Sequence, residues 1–278
     1  MIILTGANGA FGRLVTTHLL ALTPDVAVSV RDPARAADLG VPARHGDFAR
    51  AGTLPSAFAG ASTVLINGTY LGAAPEVRGP QLRGAIAAAV EAGAARVVVT
   101  SWPDLARNTL PSTADYAGTE SFVRGLAVRW TLVRVGFGLA AALARDVLAA
   151  RRDGVLTAPA GDARLAVAST ADLAEATARV LAGGPEHDGR TYELTGPDTV
   201  GWSELAALAG VAYAPEPEPD FRERWVARGW PAPVVEQLLA LYACIRSGWA
   251  GSPTGELEAL LGRRPVAALA AVREAVRE

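Results

Sequence analysis

The sequence predicts an α/β protein in which a doubly wound parallel sheet is joined to a smaller, mainly helical C-terminal lobe. Short β-branched runs, such as Ile2–Thr5 and Val26–Val30, alternate with segments of helical spacing as far as Gly196. These runs are apolar on both faces, which is typical of parallel strands covered by helices on both sides. After Gly196 the pattern becomes helical and rich in tryptophan, which predicts the second lobe.

Apolar spacing and boundary residues predict each element in turn. Pro24 stops the first helix, Gly68 breaks the fourth strand, and Gly93 ends the helix before the fifth strand. The predicted strands cover residues 2–5, 26–30, 41–45, 64–66, 96–100, 130–133 and 191–194, and the longer helices cover residues 11–22, 78–92, 114–126, 140–152 and 172–181.

Composition excludes several classes of function. The chain has 278 residues, half of them hydrophobic, and a formal net charge of −2, so it has material for a core and no basic surface for nucleic acid. All 26 basic residues are arginine, which excludes chemistry that needs a lysine. One cysteine and three scattered histidines predict neither a disulfide nor a metal site. No signal peptide or membrane-spanning run is visible, and we expect a cytoplasmic location.

A glycine-rich turn joins the first strand to the first helix. Residues 6–12 read GANGAFG, with glycine at positions 6, 9 and 12. The first glycine permits a tight turn, the second lets the backbone approach a pyrophosphate, and the third lets the helix pack closely on the strand. The helix N-terminus then favours the negative charge. In the first βα turn this pattern predicts a dinucleotide site in a Rossmann-type sheet.

The residues after the second strand indicate which dinucleotide binds. An acidic residue there would hold the ribose 2′-hydroxyl of NAD, whereas Arg31 suits the 2′-phosphate of NADP. We therefore predict NADPH or NADP, with NADH less favoured. Asp32 follows at once, and the alternative in which Asp32 holds the ribose while Arg31 is solvated stays open.

These elements predict two domains. The NADP-binding Rossmann domain covers residues 1–136 and is completed by about 156–196, whereas residues 137–155 and 197–278 form the smaller lobe on the substrate side. Ligands of open parallel sheets bind outside the carboxyl ends of the strands. The cofactor should therefore lie across that edge, with the substrate in the cleft between the domains.

Several motifs resemble one known family. They are TGANGAFG at the N-terminus, VRDP after the second strand, HGDF after the third, VVVTS at 97–101, TE at 119–120, TLVRVG at 131–136 and TYELTGP at 191–197. Over nearly its whole length the chain resembles the NmrA-like branch of the atypical short-chain dehydrogenases. That branch includes NADPH-dependent quinone reductases, triphenylmethane-dye reductases and redox-sensing regulators, so the resemblance implies a Rossmann-type fold that binds NADPH.

The resemblance also implies that the cofactor contacts residues following successive strands. They are Gly6, Asn8, Gly9, Ala10, Phe11 and Gly12 at the pyrophosphate, Arg31 at the 2′-phosphate, Asp47 and Phe48 near the adenine, Asn67 and Gly68 along the ribose and nicotinamide, and Ser101 and Trp102 facing the nicotinamide.

Tyr116 and Ser101 are the candidate catalytic residues. Ordinary short-chain dehydrogenases have a lysine four residues after the tyrosine, but this chain has Glu120 there. Residues four apart share a helix face, and a nearby carboxylate raises the pKa of a phenol. Tyr116 would then stay protonated near neutral pH and could donate to a carbonyl oxygen, which favours reduction. The alternative, in which Tyr116 only lines the pocket and Glu120 pairs with an arginine, stays open.

An apolar substrate pocket is predicted beside the nicotinamide. After the sixth strand the family usually has Arg-Asn-Gly, whereas this chain has Arg-Val-Gly at 134–136 and lacks the later polar residues. This departure indicates an apolar or flat aromatic substrate and leaves the family's substrate contacts open. The candidate pocket residues, each of which could instead belong to the core, are Tyr70, Leu71, Trp102, Tyr116 and Phe137.

The sequence therefore predicts an NADPH-dependent reductase that transfers hydride to a quinone or another conjugated or aromatic carbonyl compound. A tailoring step in natural-product biosynthesis would fit the same pocket. The alternatives are an NmrA-like regulator that senses the dinucleotide without turnover, and an isomerase or cyclase on the same fold. The expected partner is a small apolar or aromatic substrate, with no nucleic acid and no membrane, and a homodimer is compatible with the sequence.

Overall fold

The computed structural model describes residues 1–68, 74–136 and 138–277. Its strands are β1 (Ile2–Thr5), β2 (Val26–Val30), β3 (Ala43–His45), β4 (Thr63–Ile66), β5 (Arg96–Ser101), β6 (Arg129–Val135), β7 (Val155–Ala158), β8 (Arg164–Leu165), β9 (Arg190–Leu194), β10 (Val200–Gly201) and β11 (Ala212–Pro215). Its α-helices are α1 (Ala10–Leu20), α2 (Leu54–Phe58), α3 (Pro75–Glu91), α4 (Asp115–Arg124), α5 (Leu139–Asp153), α6 (Thr170–Ala182), α7 (Trp202–Ala209), α8 (Glu218–Ala227), α9 (Ala232–Arg246), α10 (Glu256–Leu261) and α11 (Ala268–Ala275).

Seven parallel strands form the main sheet in the order β3-β2-β1-β4-β5-β6-β9. The strand order reverses between β1 and β4, and the carboxyl ends of these two strands therefore border a crevice suited to a ligand. Every residue of β2, β4 and β5 is buried, because helices cover both faces of the sheet. The predicted doubly wound, Rossmann-type sheet is confirmed.

Alternate residues of the strands contribute to two separate cores. Leu4 and Val98 pack with apolar side chains of α1, α6 and α10 on one face. Ile3 and Val97 pack with side chains of α2, α3 and α4 on the other face. Each fully buried aliphatic side chain contributes about 1.5–3 kcal/mol to stability. The two cores hold the strand ends that carry the candidate site in fixed positions.

A third core belongs to the C-terminal lobe. Trp202, Phe221 and Tyr242 are buried in it, together with side chains of α5 and α11. Two short ladders, β7 with β11 and β8 with β10, lie beside these helices, so the lobe is mainly helical as predicted. The division into domains stays a proposal. Strand β9 joins the main sheet, whereas Leu156 and Leu165, from the segment assigned to the sheet domain, pack in the third core.

Two of the predicted absences concern membrane-spanning helices and clusters of metal-binding side chains in the described ranges. None of the helices there is long and apolar enough to cross a membrane. Those same residues contain no group of three or more histidine, cysteine, aspartate or glutamate side chains that could hold a metal ion. The expectations about nucleic acid, a homodimer and the cellular location stay predictions.

Candidate functional site

The glycine-rich turn between β1 and α1 has the backbone shape that its sequence predicts. Gly6 has a φ of +72°, a left-handed conformation that glycine adopts readily. A Cβ on Gly12 would lie 2.3 Å from the carbonyl oxygen of Gly6, so α1 can approach the turn only because residue 12 has no side chain. Gly9 precedes α1 without a side-chain cap, and such a helix N-terminus favours a phosphate group.

A cleft of about 720 Å³ opens beside this turn, at the carboxyl ends of β1 to β4. Its volume is in the range of sites that hold a cofactor or a small molecule, about 300–1,000 Å³. Eight of the predicted cofactor residues line it, namely Gly6, Asn8, Gly9, Arg31, Asp47, Phe48, Asn67 and Gly68.

The other predicted cofactor residues lie behind or beside this surface. Ala10 begins α1, and the side chain of Phe11 packs in the core between α1 and the sheet. Phe11 and Gly12 would therefore reach a pyrophosphate through the backbone. Ser101 ends β5 in a buried position, and Trp102 packs in the third core. Neither residue lines the cleft, so their cofactor roles stay predictions.

Two buried polar atoms at the cleft are suited to contact a ligand. Within the described residues, neither Asn8 Oδ1 nor Ser29 Oγ has a hydrogen-bond partner. The amide nitrogen of Asn8 donates to the backbone oxygen of Asp32 at 3.0 Å, which fixes the orientation of the amide. A buried polar atom without a partner is costly. A ribose hydroxyl of a dinucleotide could donate to Asn8 Oδ1, and a phosphate or hydroxyl oxygen could accept from Ser29 Oγ. The acceptor and the donor therefore fit a dinucleotide cofactor.

Two exposed guanidinium groups lie on the side of the cleft next to β2. Arg31 and Arg35 both line it, and no carboxylate of the described ranges forms an ion pair with either. The backbone of Arg35 is held by a hydrogen bond from Arg13 to its carbonyl oxygen. Asp32 Oδ1 accepts from Ala34 N at 3.1 Å and so caps the 3₁₀ helix that follows β2. The site thus offers two cations beside a carboxylate that is already engaged.

The opposite side of the cleft is bordered by the residues after β4. Asn67 Oδ1 accepts from the hydroxyl of Thr100, and Asn67 N donates to the hydroxyl of Thr5, so both ends of the residue are fixed. Gly68 lies against Leu82, whose side chain would be 1.9 Å from a Cβ at position 68. A side chain at position 68 would therefore displace part of the cleft wall.

Tyr116 supports this wall from behind. Its hydroxyl donates to the backbone oxygen of Gly68 at 2.8 Å, and its side chain is buried. Arg78 lies over the ring at 5.1 Å from its centroid and is paired with Asp115 through two hydrogen bonds of 3.0 and 2.5 Å. Burial raises the pKa of Tyr116 to about 12, although Arg78 opposes the rise. Tyr116 therefore stays protonated at neutral pH, as the sequence predicts.

The cause of that raised pKa differs from the prediction. Glu120 does not face the phenol but accepts two hydrogen bonds of 2.8 Å from Arg134 and one from Arg124. Burial would raise the pKa of Glu120, but the hydrogen bonds, led by those from Arg134 and with a contribution from Ser101, hold it below its usual value. The alternative in which Glu120 pairs with arginine is therefore the one observed, and the expectation that Glu120 raises the pKa of Tyr116 is wrong.

The sequence matches the family described as NAD(P)H-binding over residues 6–183. The chain belongs to this family. Quinone oxidoreductase 2 of Escherichia coli strain K12 is 32% identical over 250 residues, which cover 86% of this chain and 85% of the relative. The NAD(P)H azoreductase of Xenophilus azovorans is 26% identical over 87% of this chain and 86% of its own.

Solved structures agree with the sequence relatives. The Citrobacter sp. triphenylmethane reductase, complexed with NADP(H), has a TM-score of 0.90 and 27% identity, with 99% of both chains covered. The NADPH-dependent quinone oxidoreductase from Escherichia coli, complexed with NADPH, has a TM-score of 0.89 and 28% identity over 99% of both chains. A mutant of NmrA shares the fold alone, with a TM-score of 0.70 and 19% identity over 99% of this chain and 94% of that one.

These findings confirm three predictions about this member of the NAD(P)H-binding family. It resembles NADPH-dependent quinone oxidoreductases in sequence and shares its fold with NmrA. Its cofactor is a nicotinamide dinucleotide, NAD(P)H, and it is an NAD(P)H-dependent oxidoreductase acting as a reductase. The identity of the electron acceptor belongs to the proposals below.

Several cleft residues are absent from the sequence-based prediction. Ser29, Arg35 and Arg78 line the cleft in addition to the predicted set. Ser29 is the one polar residue of β2, and Arg78 lies near the N-terminus of α3, where the helix dipole disfavours a cation. Both signals are visible in the sequence. The predicted pocket residues Tyr70, Leu71 and Phe137 lie outside the described residues.

Proposed function

We propose that this oxidoreductase uses NADPH to reduce a quinone or another conjugated or aromatic carbonyl compound. The observation that carries the proposal is the presence of Arg31 and Arg35 at a cleft that Ser29 also lines. Together these three residues suit a 2′-phosphate. The relatives' names support the acceptor class, because quinones, azo compounds and triphenylmethane dyes are all conjugated systems that accept a hydride.

The protein's part in the reaction is to bind and orient. The turn at residues 6–12 and the N-terminus of α1 hold the pyrophosphate, while Arg31 and Arg35 hold the 2′-phosphate. Asn67 and Gly68 border the nicotinamide end. When bound, NADPH supplies a hydride, and a quinone that accepts it takes up one proton to become a hydroquinone. Orientation of the two rings is then the main contribution of the chain.

The proton comes from solvent in this proposal. The hydroxyl of Tyr116 already donates to Gly68 O, and the pKa of about 12 makes the phenol a weak acid. We therefore assign Tyr116 a positioning role at the cleft wall. The catalytic roles predicted from the sequence for Tyr116 and Ser101 stay predictions.

The test is consumption of NADPH by the purified chain with a panel of acceptors. The panel contains benzoquinones, naphthoquinones, an azo dye, a triphenylmethane dye and aromatic polyketide-like ketones, each assayed with NADPH and with NADH. We expect the highest kcat/KM with a quinone or a conjugated ketone and NADPH. Turnover of a polyketide-like ketone above all simple quinones would support the tailoring role in natural-product biosynthesis.

Three results would contradict the proposal. Tight binding of NADPH without consumption in the presence of any acceptor would favour the regulator that senses the dinucleotide. Conversion of a panel compound without net NADPH oxidation would favour an isomerase or cyclase. Equal kcat/KM with NADH and NADPH would contradict the assignment of Arg31 and Arg35 to a 2′-phosphate.

A further inference from the structure

A chain of three buried aromatic rings connects the C-terminal lobe to the cleft. Trp249 stacks on Trp102 with 6.2 Å between ring centroids and 5° between planes. Trp102 contacts Tyr116 with centroids 6.2 Å apart, and the hydroxyl of Tyr116 donates to the backbone oxygen of Gly68. Gly68 lines the cleft, so a displacement in the lobe reaches the cleft wall through only three rings.

The far end of this chain is held by an unusual backbone arrangement. Asp104 and Ala250 have φ values of +45° and +53°, and within the described residues they are the only non-glycine residues in the left-handed region. Ala250 N donates to Asp104 Oδ2 at 3.2 Å, which joins the two directly. Trp249 Nε1 donates to Pro103 O at 2.8 Å. We call these four residues, Pro103, Asp104, Trp249 and Ala250, the interlock.

The interlock is also tied to the sheet. The backbone nitrogen of Asp104 donates to Glu193 Oε1 at 2.8 Å, and Glu193 accepts a further bond from Arg134. The backbone oxygen of Ala250 accepts from Ala166 N at 2.8 Å. A strained backbone persists only where its surroundings hold it, and such strain concentrates at functional sites. The hydrogen bonds of Asp104 and Ala250 hold both residues in the left-handed conformation.

We propose that the interlock is a positioning device for the nicotinamide end of the cleft. Asp104 and Trp249 touch no part of the cleft surface, and they act by fixing the indole of Trp102, which in turn fixes Tyr116 and Gly68. The inference rests on the proposed hydride transfer, in which small displacements of the reacting rings lower the rate strongly. Asp104 and Trp249 are thus positioning residues that belong to the lobe side of the site.

Substitutions of Asp104 separate its hydrogen bond from its backbone strain. Glycine adopts a positive φ freely, so Asp104→Gly removes the acceptor for Ala250 N without destabilising the loop backbone. Asp104→Asn keeps an acceptor oxygen and tolerates the left-handed region. Asp104 also pairs with the exposed Arg107 at 3.3 Å, so Arg107→Ala is the control for loss of that ion pair alone. All six tryptophans remain in each variant.

Steady-state kinetics provide the first readout. We expect Asp104→Gly to lower kcat with the best acceptor by about tenfold or more, whereas Asp104→Asn and Arg107→Ala stay within about twofold of the wild type. The Kd for NADPH should change by less than about twofold in all three, because the phosphate contacts are untouched. If the role of Asp104 were purely structural, Asp104→Gly would lower the midpoint of thermal unfolding, and kcat would not fall while the Kd for NADPH stays unchanged.

The second readout does not need turnover. Excited tryptophan side chains transfer energy to bound NADPH. The contribution of Trp102, which we call its share, is the part of this energy transfer that is lost when Trp102→Phe is added to the same protein. We expect Asp104→Gly to reduce that share and Asp104→Asn to restore it. If Asp104→Gly does not fold, Trp249→Phe serves instead, because it keeps a ring on Trp102 and leaves Asp104 in place, while it loses the bond to Pro103 O and part of the buried indole.

The outcomes distinguish this inference from the proposed function. Wild-type kcat together with an unchanged Trp102 share of the energy transfer, in Asp104→Gly or in Trp249→Phe, would overturn the positioning role. If the wild type reduces no acceptor, the proposed function fails. In that event the energy transfer alone tests the positioning role of the interlock, and an unchanged Trp102 share in Asp104→Gly would overturn that role as well.

Discussion

Arg31 and Arg35 should separate the affinity for NADPH from the affinity for NADH. Both guanidinium groups line the cleft, and no carboxylate of the described residues competes for them within ion-pair distance. NADH lacks the 2′-phosphate and should gain nothing from either charge. Arg31→Ala, Arg35→Ala and the double variant are therefore expected to weaken NADPH binding selectively.

The size of the effect follows from the exposure of the two residues. A hydrogen bond to a charged group contributes about 1.5–3 kcal/mol, which corresponds to about 10- to 150-fold in Kd. Arg31 and Arg35 are both exposed, so solvent and salt screen the interaction and favour the lower part of that range. We expect about a tenfold rise in Kd for NADPH in each single variant and a larger rise, up to about a hundredfold, in the double variant, because two contacts to one phosphate are not independent.

Calorimetric titration with NADPH and NADH at two salt concentrations measures this difference. Arg273→Ala, an exposed arginine on α11, is the matched control and should leave both Kd values unchanged. The NADPH affinity of the wild type should fall more steeply with salt than that of the double variant. Equal losses for NADPH and NADH, or no loss in the double variant, would refute the assignment. A loss of NADH binding in Asp32→Ala would then favour the carboxylate as the ribose ligand.

Three further predictions concern single residues. Gly12→Ala should abolish binding of NADPH in calorimetry, because its Cβ would lie 2.3 Å from the oxygen of Gly6, whereas Gly84→Ala, with open space around it, should bind normally. Tyr116→Phe should lower kcat about tenfold, as Asp104→Gly does, because it removes the hydrogen bond that holds Gly68 O. The wild-type rate should show no ionisation of this phenol across roughly pH 6 to 9, since burial raises its pKa to about 12; an ionisation in that interval that Tyr116→Phe abolishes would restore the acid role. Burial raises the pKa of Asp146, so the folded state binds that proton more tightly than the unfolded state, and stability falls as the pH rises through the interval between the two values. Asp146→Asn should therefore unfold at an equal or higher temperature than the wild type at neutral pH, with the gain vanishing in acid, and a lower temperature at neutral pH would contradict this reasoning.

The cofactor half of the site could be predicted because its signals are local. The turn at residues 6–12 is contiguous, and the carboxyl ends of parallel strands must share one edge of the sheet. Arg31, Asp47 and Asn67 each follow a strand, and each lines the cleft. In such a sheet, the end of a strand in the sequence therefore predicts that the residues that follow it lie at the cleft.

The support behind the cleft could not be predicted in the same way. Helical spacing places Tyr116 and Glu120 on one face of α4, but spacing does not say which neighbours a buried carboxylate finds. Glu120 forms an ion pair with Arg134 on β6 and does not contact the phenol, because a buried charge requires a charged or hydrogen-bonding partner. The stacking of Trp102 on Trp249 likewise joins segments that are far apart in the sequence, and no local pattern encodes it.

Gly68 is held by residues of both the sheet and the C-terminal lobe. From the sheet side, its neighbour Asn67 is held by Thr5 and Thr100, which are themselves strand residues. From the lobe side, Gly68 O is held by Tyr116, whose position depends on Trp102. A substitution in the sheet should therefore alter the affinity for the dinucleotide, because it moves the phosphate contacts and the wall together. A substitution in the lobe can move the wall alone, so that the same affinity is kept while the rate with the acceptor changes. On this reasoning relatives can share the cofactor residues and still differ in the conjugated compounds that they reduce.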